Sequence, residues 1–163
     1  MHILATQIGE SLKAHGMLLA TAESCTGGGV AQAVTEVAGS SAWFERGFIT
    51  YSNLSKQQML GVGVETISRH GAVSEAVVRE MVAGALRYSG AQVALAVSGI
   101  AGPGGGTADK PVGTVWFAWG LREGLTFARL HHLDGGRAEV RTQAVRIALQ
   151  GVAELLGRHT ETA

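Results

Sequence analysis

The sequence predicts an α/β fold, a three-layer α/β/α sandwich built on a mixed β-sheet. Three observations carry that expectation. Segments with apolar residues every three to four positions alternate with short apolar runs, the pattern of helices packed on strands. One run, Val93-Ala94-Leu95-Ala96-Val97, is continuous, as expected of a central strand covered on both faces. Two others, 112–119 and 125–132, flank Leu121-Arg122-Glu123-Gly124, a hairpin-like turn that adds antiparallel pairing to the sheet.

In chain order, Ile3, Leu4, Ile8 and Leu12 interleave with Gln7, Glu10 and Ser11, which predicts an amphipathic helix over about 3–15. Met17-Leu18-Leu19-Ala20 predicts a strand over 17–20, and Val30, Val34 and Val37 a helix over 27–37. A strand over 47–51 and a short helix over 54–60 follow. Val77/Val78, Met81/Val82 and Ala85/Leu86 recur every four residues and predict a helix over 74–88, with Ser74 as its N-cap. After the strands over 92–98, 112–119 and 125–132, Val140, Ala144, Ala148 and Val152 predict a last helix over 138–156. His159 to Ala163 read as a frayed tail.

At 163 residues the chain is most simply one domain, 1–163, large enough to bury a core unaided. Thirteen basic residues balance thirteen acidic ones, so charge predicts neither nucleic-acid nor membrane-surface binding. No apolar run approaches the ~20 residues of a membrane span, and the N-terminus lacks the apolar core of a signal peptide. A single cysteine excludes an internal disulfide framework and a cysteine-built zinc site. A cytoplasmic protein without metal or cofactor is expected. His131 and His132 would point to opposite faces of a strand, and His15, His70 and His159 are isolated. The 24 glycines, about twice the usual ~7%, cluster at 27–29, 99–106 and 135–136, between periodic segments, which suggests ligand-facing loops.

Three of the loops carry chemistry. Thr21-Ala22-Glu23-Ser24-Cys25-Thr26-Gly27-Gly28 sets a hydroxyl and a thiol at a strand-to-helix turn, where glycines let backbone approach a ligand. Free N–H groups at the start of the next helix would face developing negative charge. The same residues also fit a helix cap. Cys25 is a rival nucleophile, since a thiol at a helix N-terminus has a lowered pKa.

The second loop, Gly47 to Lys56, brings Tyr51 to a strand end and Lys56 to the first turn of a helix. The positive end of the helix dipole, and any burial, would depress the lysine's pKa and make it a general base. A Ser–Lys pair is one way to activate a hydroxyl without histidine. A solvated lysine and a packed tyrosine fit as well. The third stretch, Ser98 to Gly106 followed by Lys110-Pro111-Val112-Gly113-Thr114, leaves a central strand where ligands of open α/β sheets bind. Its N–H groups could cradle a phosphate, with Ser98 or Lys110 assisting. A flexible surface loop is the alternative.

Thr21 to Gly28, Gly39-Ser40-Ser41-Ala42-Trp43-Phe44, Gly47 to Lys56, Gly71-Ala72-Val73-Ser74 and Ser98 to Thr114 together resemble the CinA C-terminal domain family. The resemblance covers nearly the whole chain, in order. Stand-alone members of that family are nicotinamide-nucleotide amidohydrolases. The resemblance therefore implies hydrolysis of the carboxamide of nicotinamide mononucleotide (NMN), giving nicotinic acid mononucleotide and ammonia in pyridine nucleotide recycling. It implies Ser24 and Lys56 as the catalytic pair, with Tyr51 between them. Ser41, in the Gly-Ser-Ser segment, and Arg137, before the last helix, are implied as further site residues.

Thr26, Gly27 and Gly28 of the first loop, with Ser98, Gly99, Gly102 and Gly104 of the third, complete the expected substrate-binding set. Relatives have Gly-Asp-Arg or Gly-Asn-Arg where this chain has Leu133-Asp134-Gly135-Gly136-Arg137, so Arg141, one turn on, competes for the arginine role. A homo-oligomer with a small-molecule substrate, and no nucleic-acid or membrane partner, is expected. The competing class is a non-catalytic nucleotide-binding module of the competence/damage-inducible type. Ser24 with Lys56, and no fused domain, favour the enzyme.

Overall fold

The structure, a computed structural model, describes residues 1–162. Its elements are α1 (His2–Ala14), β1 (Leu19–Glu23), α2 (Gly29–Thr35), a 3₁₀ turn (Ser40–Ala42), β2 (Phe44–Ile49), α3 (Asn53–Leu60), α4 (Val64–His70), α5 (Glu75–Arg87), β3 (Val93–Gly99), β4 (Thr114–Leu121), β5 (Thr126–His132) and α6 (Arg137–Thr162). The sheet runs β2-β1-β3-β4-β5. β1 is parallel to both neighbours, while β3, β4 and β5 pair antiparallel, so the sheet is mixed.

Side-chain size is sorted across that sheet. Leu19, Leu95, Val97, Val115, Phe117 and Trp119 point to one face and pack under α1, α2 and α6. Ala20, Ala22, Ala94, Ala96 and Ala118 point to the other, under α3, α4 and α5. Period-two alternation puts large and small residues on opposite faces, and the alanine face lets helices lie close to the strands. The result is the three-layer sandwich expected.

α3 and α5 also pack closely against each other. A Cβ built on Gly84 of α5 would lie 1.9 Å from the carbonyl oxygen of Leu60. Gly84→Ala must therefore push the helices apart, and overpacking of this kind costs about 1–3 kcal/mol. A lowered urea midpoint at unchanged m-value is expected in equilibrium unfolding.

Several boundaries differ from the sequence expectation, each for a physical reason. β1 spans Leu19–Glu23 rather than 17–20, because Thr21 and Glu23, polar in sequence, are fully buried strand residues. α2 starts at Gly29 rather than 27 and ends at Thr35, because Gly27 and Gly28 adopt φ of +59° and +102°. β2 lies at Phe44–Ile49 rather than 47–51; it is an edge strand with little apolar signal.

α4 was absent from the sequence expectation, since Ile67 is its one buried residue. β4 begins at Thr114 rather than 112 and runs on to Leu121. α6 is longer than 138–156 and carries His159 to Thr162, expected as a tail, as helix; Ala163 lies outside the described residues. α5 follows Ser74, whose Oγ accepts from Val77 N–H at 3.3 Å, as its N-cap. No helix of the described residues is long and apolar enough to cross a membrane.

Candidate active site

The C-terminal end of β1 is where the chemistry-bearing loops meet. Ser24 N–H donates to Val97 O of β3 at 3.0 Å, and Thr50 N–H donates to Glu23 O at 2.8 Å, so both flanking segments clamp the strand end. Beyond it lies a cleft of about 170 Å³ into which Ser24, Lys56, Tyr51, Asn53 and Arg137 project.

Lys56 is the buried member of this group, at 1% exposure. α3 that carries it is fixed by a capping box: Ser52 Oγ accepts from Ser55 N–H at 3.0 Å, and Ser55 Oγ from Ser52 N–H at 3.1 Å. Lys56 Nζ lies 3.0 Å from Ser24 Oγ and 2.9 Å from Thr50 O. Among the described residues no carboxylate pairs with it. Burial pushes the Lys56 ammonium below the ordinary lysine range, and the neighbouring Cys25 only partly opposes this. In its neutral form the amine donates to Thr50 O and accepts from the Ser24 hydroxyl, the arrangement of a general base on a nucleophile.

Tyr51 is not between serine and lysine. It is 61% exposed, and its hydroxyl accepts from Arg137 Nη2 at 3.0 Å at the rim of the cleft. Arg137, the first residue of α6, also donates through Nη1 to Gly102 O at 2.8 Å, tying the glycine-rich loop to Tyr51. Ser98 and Gly99 line the cleft, with Ser98 Oγ donating to Ala72 O at 2.9 Å. Gly104 is exposed and outside it, and Lys110 Nζ is spent on His70 O at 2.8 Å.

Ser41 is not brought to this cleft. It is exposed in the 3₁₀ turn ahead of β2, level with Leu19, whereas Ser24 follows the other end of the parallel β1–β2 pair. Thr26 is turned inward: its Oγ1 donates to Glu23 Oε1 at 2.6 Å. The Glu23 carboxylate also takes the N–H groups of Val30 (2.8 Å) and Ala31 (3.0 Å), capping α2. The N–H groups at the start of α2 are thus occupied, contrary to the expectation that they would face the site. Gly27 N–H closes a turn onto Ser24 O at 3.0 Å. Among the described residues no backbone or side-chain oxygen takes up the N–H groups of Cys25, Thr26 and Gly28.

Cys25 departs from the expected acidic thiol. It is 5% exposed, burial pushes its thiol up to about 11, and the Glu23 charge adds to this. A thiol in that state is not a nucleophile near neutral pH. Cys25→Ala is expected to retain measurable activity, and the native thiol to resist iodoacetamide at pH 8; mass spectrometry of the treated, folded protein checks the second.

Sequence reasoning missed Glu23 as the α2 cap, the Thr50 carbonyl as the second lysine partner, and Asn53, whose position lines the cleft. Asn53 had a signal, since it follows the capping Ser52 three residues ahead of Lys56. Among the described residues no group of three or more His, Cys, Asp or Glu is placed to hold a metal ion.

The fold and the cleft together define an α/β-sandwich protein with a buried lysine beside a serine at the C-terminal edge of a mixed sheet. A family model described as the CinA C-terminal domain matches residues 1–156. The chain belongs to that family. It is 56% identical over 147 residues to the nicotinamide-nucleotide amidohydrolase PncC of Escherichia coli strain K12, covering 90% of this chain and 89% of that one. With the protein of the same name from Pseudomonas putida it shares 53% identity over 152 residues, 93% of this chain and 94% of the other. The crystal structure of competence/damage inducible protein CihA from Agrobacterium tumefaciens superposes with a TM-score of 0.92 at 48% identity, over 94% of each chain.

Proposed function

We propose that this chain hydrolyses the carboxamide of NMN to nicotinic acid mononucleotide and ammonia, with Ser24 as nucleophile and Lys56 as general base. The observation that carries the mechanism is the 3.0 Å approach of a buried Lys56 amine to the Ser24 hydroxyl. The names of the relatives at 53–56% identity support the substrate. Neutral Lys56 takes the Ser24 proton directly as the oxygen attacks the carboxamide carbon. The N–H groups of Cys25 and Thr26 hold the oxyanion, each donor contributing about 3–4 kcal/mol in hydrolases. The C–N bond breaks, Lys56 returns the proton, and ammonia leaves. Water, deprotonated by Lys56, then hydrolyses the acyl-enzyme and restores Ser24.

The cleft of about 170 Å³ is below the ~300 Å³ at which drug-sized ligand pockets begin, so it suits the pyridine carboxamide while ribose and phosphate extend past the rim. Arg137 stands at that rim, exposed, with two of its five N–H groups engaged. A guanidinium there can meet a phosphate through parallel charge-assisted bonds. The remote phosphate then positions the carboxamide, and truncating the substrate lowers kcat as well as raising KM.

Strong preference for NMN over nicotinamide riboside is expected, with much of it lost in Arg137→Ala; kcat/KM for both substrates in both proteins checks this. Equal weakening of the two substrates would remove Arg137 from phosphate recognition. The test of the function itself is ammonia release from NMN by the purified protein, at a rate set by enzyme concentration. No release above the blank would sink the reading.

A further inference from the structure

We propose that Arg141 is a positioning residue for the oxyanion-binding turn, acting from behind it on the Cys25 and Thr26 carbonyls. The inference rests on the amidase reading and deepens it. Arg141 Nε donates to Cys25 O at 3.2 Å, and Nη2 to Thr26 O at 3.4 Å. No ion pair among the described residues includes Arg141, so its guanidinium is directed at backbone.

Two separate cavities lie on either side of the turn. Ser24, Cys25 and Lys56 line the cleft, whereas Thr26 and Arg141 line a different cavity with Gly29, Ala138 and Val145, between α2 and α6. Arg141 therefore approaches from the side away from the reacting atoms. In a trans peptide the C=O and the following N–H point in opposite directions. Pinning Cys25 O toward Arg141 thus turns Thr26 N–H toward the cleft. The Ser24 carbonyl, held by Gly27 N–H at 3.0 Å, fixes the plane that carries Cys25 N–H in the same way. Among the described residues of the turn, no protein oxygen takes up these two N–H groups or that of Gly28.

Gly27 permits the approach. It sits at φ +59°, and a Cβ there would lie 3.3 Å from Arg141 Nη2. A cationic donor on the carbonyl also polarises the peptide and strengthens its N–H as a donor. The guanidinium charge opposes the upward push on the Cys25 thiol, as its place against this turn requires. With both its bonds directed at the turn, Arg141 leaves the phosphate to Arg137.

The experiment compares wild type, Arg141→Met and Arg141→Lys. With NMN, Arg141→Met is expected to lose about 10²-fold in kcat, the loss on removing one oxyanion donor. KM and the preference for NMN over the riboside should stay within twofold. Arg141→Lys, which can hold one carbonyl, should recover part of kcat. The thermal midpoint of each variant is measured alongside.

A second readout needs no NMN: the rate at which a fluorophosphonate labels Ser24, followed by mass spectrometry. There the Ser24 O–P bond forms, fluoride leaves, the proton passes to Lys56, and the P=O oxygen occupies the oxyanion position. Slower labelling in Arg141→Met, partly restored in Arg141→Lys, supports the inference even if wild type proves inert toward NMN, an outcome that would overturn the substrate reading alone. Unchanged kcat and labelling, a loss confined to KM or to phosphate preference, or a loss that merely follows a fallen thermal midpoint would each overturn it. So would a wild-type Ser24 that neither turns over NMN nor takes the label.

Discussion

Ser24→Ala is expected to abolish ammonia release from NMN while leaving the fold and its thermal midpoint in place. Removing a hydrolase serine nucleophile costs on the order of 10⁶-fold in kcat, which here means activity below detection. Ser24 is 7% exposed, and its hydroxyl has Lys56 Nζ at 3.0 Å as side-chain partner. Its loss removes the attacking atom and little else. Circular dichroism and a rate assay with NMN check both halves. Full activity in Ser24→Ala would return the nucleophile to Cys25, against the raised thiol pKa.

Lys56→Ala should lower kcat by at least ~100-fold, the lower end of general acid–base contributions. Lys56→Arg should not rescue it, because arginine stays protonated and cannot accept the Ser24 proton. Most activity surviving in Lys56→Arg would mean that the site needs charge rather than a base. The acidic limb of the kcat/KM profile should report the depressed lysine, falling as pH drops through its folded-state value.

The same depression has a stability consequence with a definite sign. Below the folded-state pKa the buried amine must carry a proton without a carboxylate partner, so the full penalty is present there. Between the folded value and the unfolded value of about 10.4 the unfolded chain binds more protons, and stability rises with pH; above both the penalty is gone. Lys56→Met should therefore be more stable than wild type at neutral pH, with the gap closing as pH rises toward 10. Urea unfolding at several pH values checks this. A gap that stays constant would show that the lysine is not desolvated in the folded chain.

Fold and site differ in how far the sequence alone encodes them legibly. The helices α5 and α6 and the strand β3 announce themselves because one or both faces are apolar, so period and burial coincide in sequence. β1 was cut short because Thr21, Glu23 and Ser24 are polar residues buried for reasons of chemistry and capping, which no hydrophobic pattern records. α4 went unseen because it buries almost nothing. Strand order was not legible, since pairing depends on contacts between distant segments.

At the site, motif and geometry coincide for Ser24, Lys56, Ser98, Gly99 and Arg137, which share the cleft. They part where the linear order misleads. Tyr51 precedes Lys56 by five residues yet points to the rim, and Ser41 lies on the connection to β2 at the opposite end of the sheet. Thr26 follows the nucleophile closely, but its hydroxyl serves the buried Glu23 rather than a ligand. A motif preserves which residues accompany a reaction; it does not say which of them touch it.

The serine and the lysine reach each other only across the β1–β2 crossover, and the arginine at the rim arrives from the far end of the chain. Every helix can form, and much of the apolar surface can collapse, before that meeting occurs, because long-range strand pairing is the slow part of folding. Catalytic competence is thus a late product of the folding reaction. In a refolding time course, helical ellipticity should return first and turnover last, making enzyme activity a stricter gauge of the native state than any spectroscopic signal of secondary structure.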